Sequence, residues 1–261
     1  MNILEKIIEH KKIEVEKRKE VSTVAALQHR ELFSRKTFSL KAALLDETKT
    51  GIIAEFKRKS PSRGTINARA DIIDTTTAYA KHGASGLSVL TDEFFFGGST
   101  DDLLKARVNQ VPVLRKDFII DEYQVIETKA IGADIILLIA ACLTLAEVKQ
   151  LAILARSVGL ETLLEIHNEE ELQHICDEID LVGINNRDLK TFEVDIDRSL
   201  QLSKQIPADK VIIAESGIDN AETIKIFRAA GFKGFLMGER FMKAEDPAKA
   251  FEQFVQQLKQ P

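Results

Sequence analysis

Cysteine is nearly absent: Cys142 and Cys176 are the only two in 261 residues, far apart and outside any C-x-x-C spacing. That excludes a disulfide framework and a cysteine-based zinc site, and points to a reducing, cytoplasmic setting. Histidine is also sparse. His10, His29, His82, His167 and His174 form no H-x-H or H-E-x-x-H pair, so no metal site is expected. There is no basic excess either. The formal net charge is -5, which removes the electrostatic footprint that nucleic-acid binding requires.

Long hydrophobic runs are missing as well. The longest, IILLIAACL at Ile135–Leu143, falls well short of the roughly 18 residues needed to cross a bilayer. No membrane partner is therefore expected. The opening segment MNILEKIIEHKKIEVEKRKE is charged and amphipathic, unlike a secretory leader. No stretch rich in Gly, Ser or Pro suggests a linker, so residues 1–261 read as one domain: a helical extension over 1–50 and an α/β body over 51–261. The hydrophobic fraction of 44% with 30% charged residues is ordinary for a globular chain.

Eight short apolar runs are present, each followed by a helical pattern. They are GIIAEFK from Gly51, GLSVL from Gly86, VPVLRK from Val111, DIILLIA from Asp134, LETLLEI from Leu160, LVGIN from Leu181, VIIAES from Val211 and GFLMG from Gly234. Near-continuous apolarity suits parallel strands covered by helices on both faces. Capping-box patterns follow three of the runs, at Thr144–Glu147, Asn168–Glu171 and Asp219–Glu222, and predict helix starts there. Gly83, Gly132, Gly159 and Gly231 sit where helices would stop. Eight βα units predict a (β/α)8 TIM barrel. A doubly wound open sheet, which more usually carries five or six strands, is the runner-up.

In such a barrel, chemistry belongs at the C-terminal ends of the strands, and charges gather there. Glu55 and Lys57 end the first run, Lys116 the third, Glu165 the fifth, Asn185 the sixth and Glu215 the seventh. Glu55 and Lys57 are two apart and so share one side of their strand. A structural layer of salt bridges is the plain alternative, but buried ion pairs are weak sources of stability. Lysines and glutamates held together can instead separate their pKa values and serve as acid and base. Gly217 in ESGID and Gly238 in MGERF each lie between a strand and a helical segment. Backbone N–H groups there suit a phosphate, although both glycines could simply make tight turns. Phe94, Phe95 and Phe96 follow the second run, and Phe118 follows Lys116. Such rings can line a pocket for a flat apolar group, with one or two of the adjacent three left to pack on the barrel rim.

Taken together, IIAEFKRKSPSRG, LTDEFFFGGS, LRKDFI, LLEIHN, GINNRDL, AESGI and FLMGERFM resemble, in order, the strand ends of the indole-3-glycerol phosphate synthase family. The resemblance covers essentially the whole chain. It implies ring closure of 1-(2-carboxyphenylamino)-1-deoxyribulose 5-phosphate to indole-3-glycerol phosphate, with loss of carbon dioxide and water and no cofactor or metal. It further implies Lys116 as general acid, Glu165 as the principal carboxylate of the elimination, and Glu55 and Lys57 as further members of the catalytic group. Burial or a cationic neighbour such as Lys57 is expected to lower the Lys116 pKa. Ser60, Phe96, Phe118, Asn185, Arg187, Glu215 and Ser216 match substrate-binding positions. Lys57, Gly217, Gly238 and Glu239 match the phosphate side, Glu239 through its backbone with its side chain turned away. A monomer or weak homodimer acting on a small phosphorylated substrate is expected. Two other readings compete: a different phosphosugar barrel enzyme, which would not need the Lys57, Lys116 and Phe118 set, and a non-catalytic barrel, which would be expected to have lost a charged strand end.

Overall fold

Each of the eight apolar runs forms a parallel strand in the computed structural model, which describes residues 2–188 and 193–259. Leu189, the last residue of the GINNRDL motif, lies outside the described residues, as do the extreme ends of the 1–261 span. The strands are β1 (Ile52–Phe56), β2 (Gly86–Leu90), β3 (Val113–Lys116), β4 (Ile135–Ile139), β5 (Glu161–Ile166), β6 (Leu181–Asn185), β7 (Val211–Glu215) and β8 (Gly234–Met237). Neighbours in sequence are neighbours in space, and β8 pairs with β1 to close the barrel. The register sets Glu55 beside Ser88 and Asn185 beside Glu215.

Alternation along the strands divides the core in two. Ile53, Leu114, Ile135, Leu137, Leu163, Leu181, Ile213 and Leu236 fill the barrel interior. Ile52, Ala54, Leu164, Val182, Ala214 and Phe235 join the outer layer against the helices. Both strand faces are buried, which is why the runs read as continuous apolar stretches. Inward positions follow period two, so Glu55, Lys116, Glu165 and Glu215 each fall one inward step beyond an apolar interior residue, and Asn185 one step beyond Gly183. Leu40 and Leu44 of α3 (Leu40–Leu45) belong to the interior cluster. They lie close to Gly86 and Gly234 at the starts of their strands, so α3 covers the opposite end of the barrel from the charges.

The helices obey local signals, with two departures. Thr144 caps α7 (Leu145–Ser157) through a full capping box with Glu147, and Gly83, Gly132, Gly159 and Gly231 all take positive φ after helix ends. The helix expected to start at Asp219 is instead capped by Asn220, which accepts the N–H of Thr223 and starts α9 (Ala221–Ala229). Asn168 does cap Glu171, but the segment that follows, Glu169–His174, is a 3-10 turn instead of an α-helix. Its three consecutive glutamates carry no apolar stripe to bury, and tertiary packing is what usually makes a short helix persist.

The N-terminal region supplies α1 (Ile3–Val21), α2 (Val24–Gln28) and α3. Helix α1 lies against the charged end of the barrel. Lys11, whose side chain is 1% exposed, places Nζ 2.9 Å from Asp92 after β2 and 2.9 Å from Asp117 after β3, with Glu14 of its own helix at 2.8 Å. Further along the helix, Arg18 pairs with Glu127 at 2.9 Å and Lys19 with Asp121 at 2.8 Å. Both of these acids belong to or cap α6 (Glu122–Ala130).

Candidate active site

The five charged groups from four strand ends do converge. One pocket at the C-terminal end of the barrel is lined by Glu55, Lys57, Ser60, Phe96, Lys116, Phe118, Glu165, Asn185, Arg187, Glu215 and Ser216. Its floor is apolar, from Leu137, Ile139 and Leu236, and α1 adds Ile3, Leu4 and Ile7 from above. A floor and lid of this kind exclude water and strengthen every electrostatic contact between them.

Lys116 is the hub. Its ammonium lies 2.8 Å from Glu165 Oε2 and 3.0 Å from Glu215 Oε2. Glu165 Oε1 accepts a hydrogen bond from Asn185 Nδ2 at 2.9 Å, and His167 Nε2 stands 3.1 Å from the same oxygen. Lys57 pairs instead with Glu55 at 2.7 Å, and Ser88 Oγ reaches the other Glu55 oxygen at 3.5 Å. The side chains of Glu55, Glu165 and Glu215 are each at least 96% buried by exposures of 4%, 4% and 2%. They therefore differ through their neighbours more than through their solvation. Burial drives the Glu165 carboxyl upward, but Lys116 and His167 outweigh it and hold it well below the usual range. Glu215 shares Lys116 with a second carboxylate, and burial pushes it up to about 7.

The expected lowering of the Lys116 pKa is not what the structure gives. Burial does pull it down, yet Glu165, Glu215 and Glu55 overcome that, so the net direction is upward. Lys57 has been taken up by Glu55 and supplies no cationic pressure. The correction follows from charge balance: three buried carboxylates surround the site, and an ammonium among them is favoured.

Glycines make room for this cluster. A Cβ on Gly183 would lie 2.2 Å from Glu215 Oε1, and one on Gly238 would lie 2.8 Å from the Glu55 side chain. Both occupy inward positions where a side chain would displace a carboxylate. Gly217 at φ 66 follows Ser216, also at φ 66 and the one non-glycine with positive φ among the described residues. A strained non-glycine of this kind is typical of a constrained functional turn. Gly217, Gly238 and Glu239 lie outside the pocket lining. Their N–H groups meet no backbone acceptor among the described residues. The Glu239 carboxylate contacts Arg187 at 3.4 Å, Arg63 at 3.3 Å and Lys243. Burial raises its pKa, but these cations win and lower it overall.

The phenylalanines divide as geometry demands. Phe96 and Phe118 both line the pocket and touch as a tilted pair, with centroids 6.0 Å apart. Phe94 stacks on His10 of α1 at 4.6 Å, and Phe95 meets the same ring edge-on at 5.6 Å. Asp92 fixes the turn by accepting the N–H groups of Phe95 and Phe96 at 2.8 and 3.2 Å.

Several residues at the site escaped the sequence reading. His167 was legible in principle, standing two positions after Glu165 on the same strand side. Lys11, Asp92, Asp117 and Arg115 form a buried network whose members come from α1, from within β3 and from just beyond β2 and β3. Asp117 accepts from Thr91 at 2.6 Å and pairs with fully buried Arg115 at 3.1 Å, and Arg115 continues to Glu127 at 2.7 Å. No local pattern announces these partners.

Comparison with known proteins shows the family. A family model described as indole-3-glycerol phosphate synthase matches residues 4–254. A relative of that name from Bacteroides thetaiotaomicron is 46% identical over 258 residues, covering 98% of this chain and 99% of its own. Another, from a Polaromonas species, is 46% identical over 259 residues with 97% of each chain covered. Among solved structures, 3-hexulose-6-phosphate synthase from Salmonella typhimurium superposes with a TM-score of 0.62 at 14% identity, over 79% of this chain and 97% of that one. That likeness speaks to the barrel alone.

Proposed function

The chain belongs to the indole-3-glycerol phosphate synthase family and carries out its carbon–carbon lyase reaction, and from that premise we propose how its residues divide the work. The substrate, 1-(2-carboxyphenylamino)-1-deoxyribulose 5-phosphate, closes to indole-3-glycerol phosphate with loss of carbon dioxide and water. The ring carbon bearing the carboxylate attacks the ribulose carbonyl, and negative charge grows on the carbonyl oxygen. Lys116 is the acid that protonates it. Its raised pKa is no obstacle, because a developing alkoxide becomes more basic than an amine and the proton moves downhill late in the step. Decarboxylation then restores the ring. The new hydroxyl leaves as water, taking a proton from Lys116 once solvent has recharged that amine, while a carbon-bound proton is removed by Glu165, held ionised beside Lys116. Glu55 balances Lys57 and completes the charged rim.

The observation that carries this reading is Lys116 Nζ at 2.8 Å from Glu165, in one pocket with the touching rings of Phe96 and Phe118. The two rings cover the anthranilate plane. Arg187 and Asn185 receive its carboxylate or the sugar hydroxyls, a guanidinium suiting a planar carboxylate. Ser60, Glu215 and Ser216 orient the hydroxyls. Lys57 and the N–H groups of Gly217, Gly238 and Glu239 take the phosphate, with the Glu239 side chain turned to Arg187, Arg63 and Lys243. We read the chain as one domain over 1–261, working in the cytoplasm as a monomer or weak homodimer; the free Cys142 and Cys176 are in keeping with a reducing compartment.

Following indole fluorescence after adding substrate tests the assignment. Lys116→Ala and Glu165→Gln are expected to lose kcat by roughly 10²-fold or more, with much smaller changes in KM. Retention of turnover by either folded variant would refute its role.

A further inference from the structure

Glu165 and Glu215 present the same chemical group to the same ammonium, at 2.8 and 3.0 Å. The proposed elimination needs one of them reliably ionised, and Lys116 by itself does not choose. The difference lies on the far oxygens. Glu215 Oε1 is buried without a hydrogen-bond partner among the described residues and faces Gly183. Glu165 Oε1 has Asn185 Nδ2 at 2.9 Å and His167 Nε2 at 3.1 Å, the latter an ion contact without hydrogen-bond alignment.

His167 is 6% exposed and does not line the pocket. It is gripped from behind: Glu171 Oε2 accepts its backbone N–H at 2.7 Å and lies 3.3 Å from its Nδ1, while Asn168 Nδ2 donates to the other Glu171 oxygen at 2.8 Å. Glu171 is set over the ring by the Asn168 cap, whose side chain accepts the Glu171 N–H. An imidazole between two carboxylates, one on each nitrogen, has both of its N–H groups wanted and is held as the cation.

We infer that His167 is a positioning residue: as an imidazolium clamped between Glu171 and Glu165, it makes Glu165, and not Glu215, the carboxylate that stays ionised to take the substrate's proton. This rests on the reading of Glu165 as the elimination base. Burial pulls the His167 imidazole down, but Glu165 and Glu171 raise it to about 9, so the cation persists through neutral pH. The other charged or titratable groups facing this pair are Lys116 from β3, Glu215 from β7 and the half-buried Cys142 thiol after β4. Glu55, paired with Lys57 on β1, acts on Lys116 and Glu215.

The test is the pH dependence of kcat and kcat/KM for His167→Gln, with Glu171→Gln as a second variant that leaves every pocket residue in place. Without the cation, Glu165 becomes easier to protonate. The acid limb of His167→Gln is then expected to move to higher pH by about one unit or more, with kcat falling most on the acid side and KM nearly unchanged. Glu171→Gln should shift the limb in the same direction by less, and ¹⁵N NMR of the parent should show a doubly protonated His167 ring at pH 7. A purely structural role would lower active enzyme equally at every pH. Unmoved acid limbs in both variants, or a neutral ring at pH 7, would overturn the inference while leaving a dead Glu165→Gln to support the base. Full turnover by Glu165→Gln would remove the base assignment itself, and this inference with it.

Discussion

Replacing Lys11 with methionine keeps the length and apolar stem of the side chain and removes only its charge. Its ammonium contacts Asp92 and Asp117, both with fully buried side chains, and the partly exposed Glu14. Burial alone would lower the pKa of this lysine, but the three carboxylates more than compensate. The two buried acids are not equally dependent on it. Asp117 keeps Arg115, the Thr91 hydroxyl and the Phe118 N–H. Among the described residues Asp92 keeps only the two N–H groups of Phe95 and Phe96, so the methionine leaves Asp92 as a buried anion without a cationic partner there. Breaking a buried pair in this way costs about 3–5 kcal/mol. For a chain of this size each kcal/mol lowers Tm by about 2–4 °C, giving a fall of about 10 °C if the cost is borne globally. If it is borne locally, α1 detaches, and its amides lose hydrogen-exchange protection in the same proportion. Detachment also withdraws Ile3, Leu4 and Ile7 from the pocket, so KM rises. Thermal unfolding, native-state exchange of α1 and steady-state kinetics read the three effects. Adding Asp92→Asn to Lys11→Met removes the stranded charge and should restore about half of the loss. A Lys11→Met protein with unchanged Tm and unchanged exchange in α1 would refute the reasoning.

Other expectations concern the pocket itself. Glu215 is pushed up to about 7 when folded, so the unfolded chain gives up this proton first. Its stabilising contribution is complete below about pH 4 and is lost as pH rises toward 7. Glu215→Gln should therefore gain stability relative to the parent as pH rises from about 5 to 8, read as a difference in urea midpoints; parallel profiles would contradict the assigned direction. Asp117 runs the other way: Lys11 and Arg115 overcome burial and hold it below the usual range, so it favours folding at neutral pH and is lost on acidification. Gly238→Ala sets a methyl 2.8 Å from the Glu55 side chain and should cost about 1–3 kcal/mol with a fall in kcat. An alanine variant as stable and as active as the parent would show that Glu55 has room to move.

Much of this protein was written in local pattern. Period-two alternation sufficed to place Glu55 and Lys57 on one side of β1, and the same rule carried Lys116, Glu165, Asn185 and Glu215 to one mouth once eight βα units were counted. Those inferences need only strand geometry and barrel closure, which are local and topological. The cap at Asn220 and the 3-10 turn after β5 departed from pattern because neighbouring candidates differed by less than tertiary packing supplies. The rest was not local at all. Arg18 finds Glu127 across 109 positions, and Lys11 finds Asp92 and Asp117 in two different loops. The direction of the Lys116 pKa depended on three carboxylates from three strands, each acting through distance. Which charges exist is set by sequence, but which charges meet, and therefore which proton is held and which is released, is a sum over separations that only the folded chain defines.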